Sequence, residues 1–126
     1  MTDRAYAYRS LLDSGAVVAN GSDAPIEELD PLAGIRAGVL RTLDDREGWH
    51  PEQAVTVEEA FEATILAPAW LAREGRTRGK LLPGYLADLV VLDRDPLAIE
   101  PEELPEVEVV ATMVGGRWTH NAPPWD

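Results

Sequence analysis

The sequence contains no cysteine, which excludes disulfide bonds, thiolate nucleophiles and thiolate metal sites. No apolar run approaches the roughly 20 residues that a membrane-spanning helix requires. The N-terminus also lacks the basic-then-apolar pattern of a secretory signal. These absences are typical of a cytoplasmic protein, and we expect no contact with a membrane.

Positive charge is also scarce, because 11 Lys and Arg residues face 23 Asp and Glu residues. The resulting formal net charge of −12 would repel a phosphate backbone, so we do not expect nucleic-acid binding. We interpret the clustered acidic residues, including Glu100 to Glu108, as a solvated surface. The 126 residues, 45% of them hydrophobic, are enough for a globular core.

Residues 1–78 are predicted to be rich in helix. We expect helices at Arg4–Ser14, stopped by Gly15, and from Pro31 to about Arg46, capped by Asp30 and with an apolar stripe that includes Leu43. The apolar run at 16–20 between them predicts a buried strand. Thr56 and Glu59 form a capping-box pattern, and Pro68 is expected to interrupt the helix behind it and to start a short one that Gly75 ends.

Residues 79–126 are predicted to form a small β part. Leu89–Leu92 and Val107–Val114 have the composition of strands, and Gly115-Gly116 predicts a hairpin turn into residues 117–120. A single strand followed by helices has no sheet of its own to pack on. We therefore expect the apolar faces of 16–20 and 31–43 to need a partner. We also expect the chain to form an oligomer in which helices 31–46 and 56–73 supply much of the contact.

The principal candidate for chemistry is Asp23, in Gly21-Ser22-Asp23-Ala24-Pro25 directly after the predicted strand. Strand ends are where α/β folds place catalytic groups. One interpretation makes the carboxylate a cap of the turn, and spacing alone favours it. The other makes it a metal ligand or general base, which would require further ligands.

The remaining candidates are weaker. His50 and His120 lie in no metal-binding spacing and are interpreted as surface or turn residues. Asp88 and Asp93 flank a strand and are expected to point to opposite faces, which does not suit a paired-carboxylate site. Among the four tryptophans, Trp70 and Trp118 are expected to pack in the interior, whereas Trp49 and Trp125 are left open.

Several segments, in this order, resemble the C-terminal end of the amidohydrolase superfamily and its amidohydrolase-3 group. They are Arg4 to Leu12, Gly21 to Pro25, Asp30 to Ile35, Thr56 to Ala60, Gly79 to Gly84, Ala87 to Asp93 with Asp95-Pro96, and Val109 to Gly116. Each segment is weak by itself, and their common order carries the resemblance. It covers nearly the whole chain.

The resemblance implies a (β/α)₈ barrel that binds one or two divalent metals, often zinc, and hydrolyses amide or other non-peptide C–N bonds of a small-molecule substrate. Residues 1–78 would be the last barrel strand, at 16–20, with its helices. Residues 79–126 would be half of a small composite β-sandwich. Asp23 would be the strand-eight aspartate, which binds metal and accepts a proton from the water that the metal activates.

The family's other metal ligands have no counterpart in this sequence, and the resemblance does not extend to His50 or His120. We therefore expect the isolated chain to lack bound metal and to be inactive, with an N-terminal barrel part as its missing partner. The alternatives are a non-catalytic homo-oligomeric module and a subunit that completes a barrel in trans.

Overall fold

A computed structural model gives the fold and describes residues 5–42, 44 and 46–121. Three predicted features, at Arg4, Leu43 and Trp125, lie outside these residues. Three α-helices come first: α1 at Tyr8–Asp13, α2 at Pro31–Leu40 and α3 at Val57–Leu71. Three strands follow: β1 at Leu89–Leu92, β2 at Val109–Val114 and β3 at Arg117–His120. The protein is thus a small mixed α/β fold.

The helix starts predicted at Asp30 and Thr56 are confirmed, whereas α1 begins only at Tyr8 and is shorter than the predicted Arg4–Ser14, because Tyr6 adopts a left-handed backbone conformation with φ of 53°. The Asp30 carboxylate accepts a hydrogen bond from the Leu32 N–H at 2.9 Å, with Pro31 at the first helical position. At the start of α3, Thr56 and Glu59 form both bonds of the capping box. Helix α2 ends earlier than expected, because Arg41 adopts a left-handed backbone conformation with φ of 60°.

The predicted break at Pro68 is wrong, since α3 continues through this residue to Leu71. Proline removes one helical donor, the one that would bond the Thr64 carbonyl. The helix tolerates this loss within a turn of its end, where the neighbouring Ala67 and Ala69 are buried and are good helix formers. The chain then turns at Arg73, whose φ is 61°, and not at Gly75.

The predicted strand at 16–20 is also absent, and these residues belong to no helix or strand. A strand needs a neighbour with which to form a ladder. The described strands pair with one another in the order β1-β2-β3 and offer none to this segment. Its link to the helices is the Asn20 N–H, which donates to the Ala63 carbonyl of α3 at 2.8 Å. Val17 remains 50% exposed.

The sheet agrees well with the predicted β part. All pairings are antiparallel, and Gly115 and Gly116 turn the hairpin with φ of 57° and 77°. Positive φ at both positions is the geometry for which glycine is suited. Strand β2 begins at Val109 and not at Val107, which is buried in the core.

The core lies where α2, the beginning of α3 and a 3₁₀-helix at Pro101–Glu106 meet. Its buried members are Ile35, Ala60, Leu104 and Val107. Leu104 is 0% exposed although it lies in the acidic connection that we expected to be solvated. The opposite error concerns Trp70, which is 60% exposed and not packed in the interior, because it lies near the end of α3 beyond this core. Trp118 is partly buried.

None of the helices in the described ranges is long and apolar enough to cross a membrane.

Candidate functional site

Asp23 lies in an exposed turn, three residues beyond the point where Asn20 contacts α3. Besides its main-chain bond, Asn20 donates from its side-chain amide to the Thr64 hydroxyl at 3.4 Å. Gly34 of α2 faces the same amide, since a Cβ there would lie 3.1 Å from the Asn20 Nδ2 atom. Asn20 is therefore held between two helices, and the chain leaves this position toward Asp23.

The turn itself does not use the Asp23 carboxylate. Its main chain, with φ of 56° at Asp23, is closed by a 2.9 Å bond from the Ile26 N–H to the Asp23 carbonyl. The Ser22 hydroxyl accepts the Ala24 N–H at 3.3 Å, a main-chain bond of the kind that the turn-cap interpretation expected the aspartate to make. Among the residues that the structure describes, the Asp23 carboxylate has no hydrogen-bond or ion-pair partner. The turn-cap interpretation is wrong, because serine performs that role.

The other aspartates in the described ranges are all engaged. Asp88 accepts the Gly115 N–H at 2.7 Å and Asp93 accepts the Glu108 N–H at 2.8 Å, so both tie β1 to the β2 region. The bond from Glu108, together with the Arg94 guanidinium, holds the pKa of Asp93 below its ordinary value. The rest bind side chains or main-chain N–H groups of their own segments: Asp13, Asp30, Asp44 and Asp95. Asp23 differs from all of them.

Both histidines contact residues of their own segments and not Asp23. The His50 Nδ1 atom lies 2.7 Å from a Glu52 carboxylate oxygen, and this contact lowers the pKa of Glu52. His120 is exposed and its Nε2 atom contacts the Asn121 amide at 3.2 Å. Within residues 5–42, 44 and 46–121, no three His, Asp or Glu side chains are grouped so that they could hold a metal ion. Asp23 is suited to be one ligand of a divalent metal, since its oxygen is a hard donor, but these residues do not form a complete site.

One cluster that the sequence did not reveal surrounds Arg41. Its guanidinium carbon lies 5.4 Å from the Tyr8 ring centre and 5.6 Å from that of Trp49, within cation–π range. The same side chain donates to the main-chain carbonyls of Trp49 and Tyr6, each at 3.2 Å. Arg41 thereby fastens the start of the chain to the loop behind α2. Residues this distant in sequence give no local signal of such a contact.

Comparison with known proteins places the chain in one family. Residues 1–120 match the sequence profile described as the amidohydrolase family. Over 116 residues the chain is 36% identical to the Bacillus subtilis protein YtcJ, whose name assigns it provisionally to the amidohydrolases; the match covers 90% of this chain and 22% of that protein.

Two further relatives have different names. N-substituted formamide deformylase of Arthrobacter pascens is 34% identical over 111 residues, covering 88% of this chain and 20% of the enzyme. Protein LONG AFTER FAR-RED 3 of Arabidopsis thaliana is 33% identical over 113 residues, covering 89% and 19%. No solved structure matches the chain significantly. The chain spans about a fifth of the length of these curated relatives, and it belongs to the amidohydrolase family.

Proposed function

We propose that this chain supplies the C-terminal section of a metal-dependent amidohydrolase active site, with Asp23 as a metal ligand and proton acceptor. Residues 16–20 would become the eighth barrel strand when neighbouring strands from the rest of a barrel are present. Residues 79–120 would contribute one half of a composite β-sandwich. The reaction would be hydrolysis of an amide or another C–N bond in a small molecule.

The observation that supports this proposal is the uncommitted carboxylate of Asp23. Each of the other described aspartates accepts a hydrogen bond within its own fold, whereas Asp23 is exposed and its turn is closed by other atoms. A side chain that contributes nothing to its own turn is available for a ligand. The exposed apolar side chains around it, Val17, Ile26 and Leu29, are available for the missing strands and loops.

The chemistry required of Asp23 suits a carboxylate. A divalent metal, when bound, would lower the pKa of a water so that this water could lose its proton near neutral pH. Asp23 would bind the metal with one oxygen and accept the proton with the other. The deprotonated water oxygen would bond to the carbonyl carbon, and the C–N bond would break as Asp23 returns the proton to the departing nitrogen, because an amine leaves far more readily than its anion.

The direct test is a chimera in which these 126 residues replace the matching segment of the Arthrobacter pascens deformylase. We expect the chimera to hydrolyse an N-substituted formamide and to contain metal by elemental analysis. Asp23→Asn should lower kcat by roughly 10²-fold or more and reduce the bound metal. Circular dichroism establishes that each chimera is folded.

Asp30→Asn is the matched control, because it removes the same charge nearby while asparagine remains a good helix cap. The control should keep both activity and metal. A folded, active chimera that is indifferent to Asp23→Asn would contradict the role of Asp23. A folded chimera without metal or activity would contradict the proposed function as a whole.

The same proposal has a consequence for the isolated chain. Since the described residues hold no group of three ligands, purified chain should bind zinc no better than its Asp23→Asn variant does. Equilibrium dialysis against zinc measures this. Stoichiometric zinc that depends on Asp23 would show a metal site within the chain itself and would contradict the need for further ligands.

A further inference from the structure

The positive charge of this acidic chain is concentrated behind α3. Of its 11 basic side chains, four lie within eight residues: Arg73, Arg76, Arg78 and Lys80. The first two line an open cleft that we call the basic cleft, formed by Trp70, Leu71, Arg73, Gly75 and Arg76. Apolar and cationic groups therefore share one surface.

The basic cleft is not accounted for by the fold of its own chain. Arg78 pairs with Glu74 at 2.8 Å, but in the part of the chain that the structure describes the side chains of Arg73 and Arg76 have no ion-pair partner. Cations near the end of α3 are favoured by the helix dipole, which does not explain why Trp70 and Leu71 are 60% and 56% exposed. Exposed tryptophan beside arginine is the composition of a protein–protein contact.

A complementary surface is present on the same molecule. Residues 100–108, which we call the acidic turn, carry five exposed carboxylates: Glu100, Glu102, Glu103, Glu106 and Glu108. Exposed apolar side chains flank them, since Leu97 is 54% exposed and Val109 follows directly at 39%. Glu106 is paired with Arg94 at 3.3 Å, whereas the other four carboxylates have no ion-pair partner among the described residues. Like the basic cleft, the acidic turn therefore combines unpaired charge of one sign with uncovered hydrophobic area.

The two surfaces cannot meet within one chain. Leu104, in the middle of the acidic turn, is buried in the core cluster that also contains Ile35 of α2 and Ala60 near the start of α3. The basic cleft begins at Trp70, ten residues further along the helix, which is about 15 Å at 1.5 Å per residue. Because the acidic turn is fixed in the core at one end of α3, only another molecule can bring such a surface to the other end.

We infer that the basic cleft of one copy of this chain binds the acidic turn of a second copy. The contact is head-to-tail, so the two end copies of an open assembly each keep one unused surface, and association continues into a ring or an open filament according to the rotation between copies. Opposite charges orient the copies, and Trp70 and Leu71 are covered by the apolar groups beside the acidic turn.

Sedimentation velocity of the 126-residue chain over a range of concentrations tests this inference. Wild type should sediment as species larger than a monomer. The variant Arg73→Glu/Arg76→Glu and the variant Glu102→Arg/Glu108→Arg should each dissociate at concentrations roughly tenfold higher or more, because each places like charges against one another. An equimolar mixture of the two variants should associate again, since an acidic cleft then meets a basic turn.

Arg46→Glu/Arg117→Glu is the control for the cleft variant, because it makes the same change in net charge at exposed positions elsewhere. It should behave like wild type. Restoration in the mixture also establishes that both variants are folded. A wild type that stays monomeric at millimolar concentration would overturn the inference. So would a control that dissociates as readily as the cleft variant, or a mixture that fails to associate.

Discussion

Similar residues are buried or hydrogen-bonded in one region of this molecule and exposed without a partner in another. Around Ile35 and Leu104, apolar side chains are buried, and the aspartates flanking β1 are bonded to main-chain N–H groups. In residues 16–29, Ile26 and Leu29 are each 77% exposed and Asp23 has no partner among the described residues. The first region is complete by itself, whereas the second presents hydrophobic area and a carboxylate to its surroundings. In a chain that spans about a fifth of its relatives' length, this contrast separates residues that maintain the fold from residues that the proposed function uses.

The largest expected loss of stability is in the core around Leu104. Leu104→Ala should lower the free energy of unfolding by about 2–5 kcal/mol, because it removes a side chain that is 0% exposed and leaves a cavity. Urea denaturation followed by circular dichroism measures the change. Leu97→Ala, in the same connection but exposed, should cost less than about 1 kcal/mol. Equal losses would show that Leu104 is not a core residue.

A smaller effect is expected where an aspartate ties strands together. Asp93→Ala should lower the free energy of unfolding, but by less than Leu104→Ala does, because the Glu108 N–H loses its acceptor at an exposed position. The same denaturation experiment applies, with Asp95→Asn as a conservative comparison. If Asp93→Ala were as stable as wild type, the bond would contribute nothing to the sheet.

The pH dependence of stability should show that the ionised Glu59 carboxylate stabilises the start of α3 and its contact with Arg9. The Arg9 guanidinium, 2.6 Å away, and the Thr56 N–H lower the pKa of Glu59. A lowered pKa in the folded state stabilises the fold above the unfolded pKa of about 4.3, and this stabilisation is lost as the pH falls through the folded value. Glu59→Gln should therefore be less stable than wild type at pH 7, and the difference should shrink below about pH 4.

Glu62→Gln provides the comparison for this pH series, because Glu62 is exposed on the same helix. Its stability should follow wild type at every pH. A difference between Glu59→Gln and wild type that persists unchanged into acid would mean that the ionised carboxylate is not what stabilises the helix start.

The smallest expected effect is at Asp23 itself. Asp23→Asn should change the free energy of unfolding of the isolated chain by less than about 0.5 kcal/mol, because its carboxylate has no bond to lose within the described residues. A larger loss would remove the contrast between the two regions, since Asp23 would then serve the fold as Asp93 does.

The sequence predicted features whose causes are local. The caps at Asp30 and Thr56 depend on atoms two or three residues apart, and the Gly115-Gly116 turn depends on the φ angles of two residues. The strand at 16–20 failed because a strand depends on a neighbour, and the break at Pro68 failed because the helix absorbs one lost bond near its end.

Tertiary packing decided the rest. Leu104 is buried within an acidic connection, and Trp70 is exposed although tryptophan usually packs, because the core lies at the start of α3. At the candidate site, the sequence located Asp23 at the end of an apolar segment but left open whether its carboxylate caps the turn, a role that the Ser22 hydroxyl takes. Which hydroxyl or carboxylate closes a turn depends on rotamers that spacing does not determine.

Asn20 sets a limit on what Asp23 can reach. Its N–H donates to the Ala63 carbonyl of α3. The next carbonyl, that of Thr64, is the one that lacks a helical donor because of Pro68. Three residues of fully extended chain span about 10 Å. While the Asn20 N–H is bonded to the Ala63 carbonyl, Asp23 can therefore reach only atoms near the turn of α3 that contains Ala63. The limit is this span plus the length of one aspartate side chain. The attachment to α3 thus limits the positions at which the Asp23 carboxylate can bind a ligand.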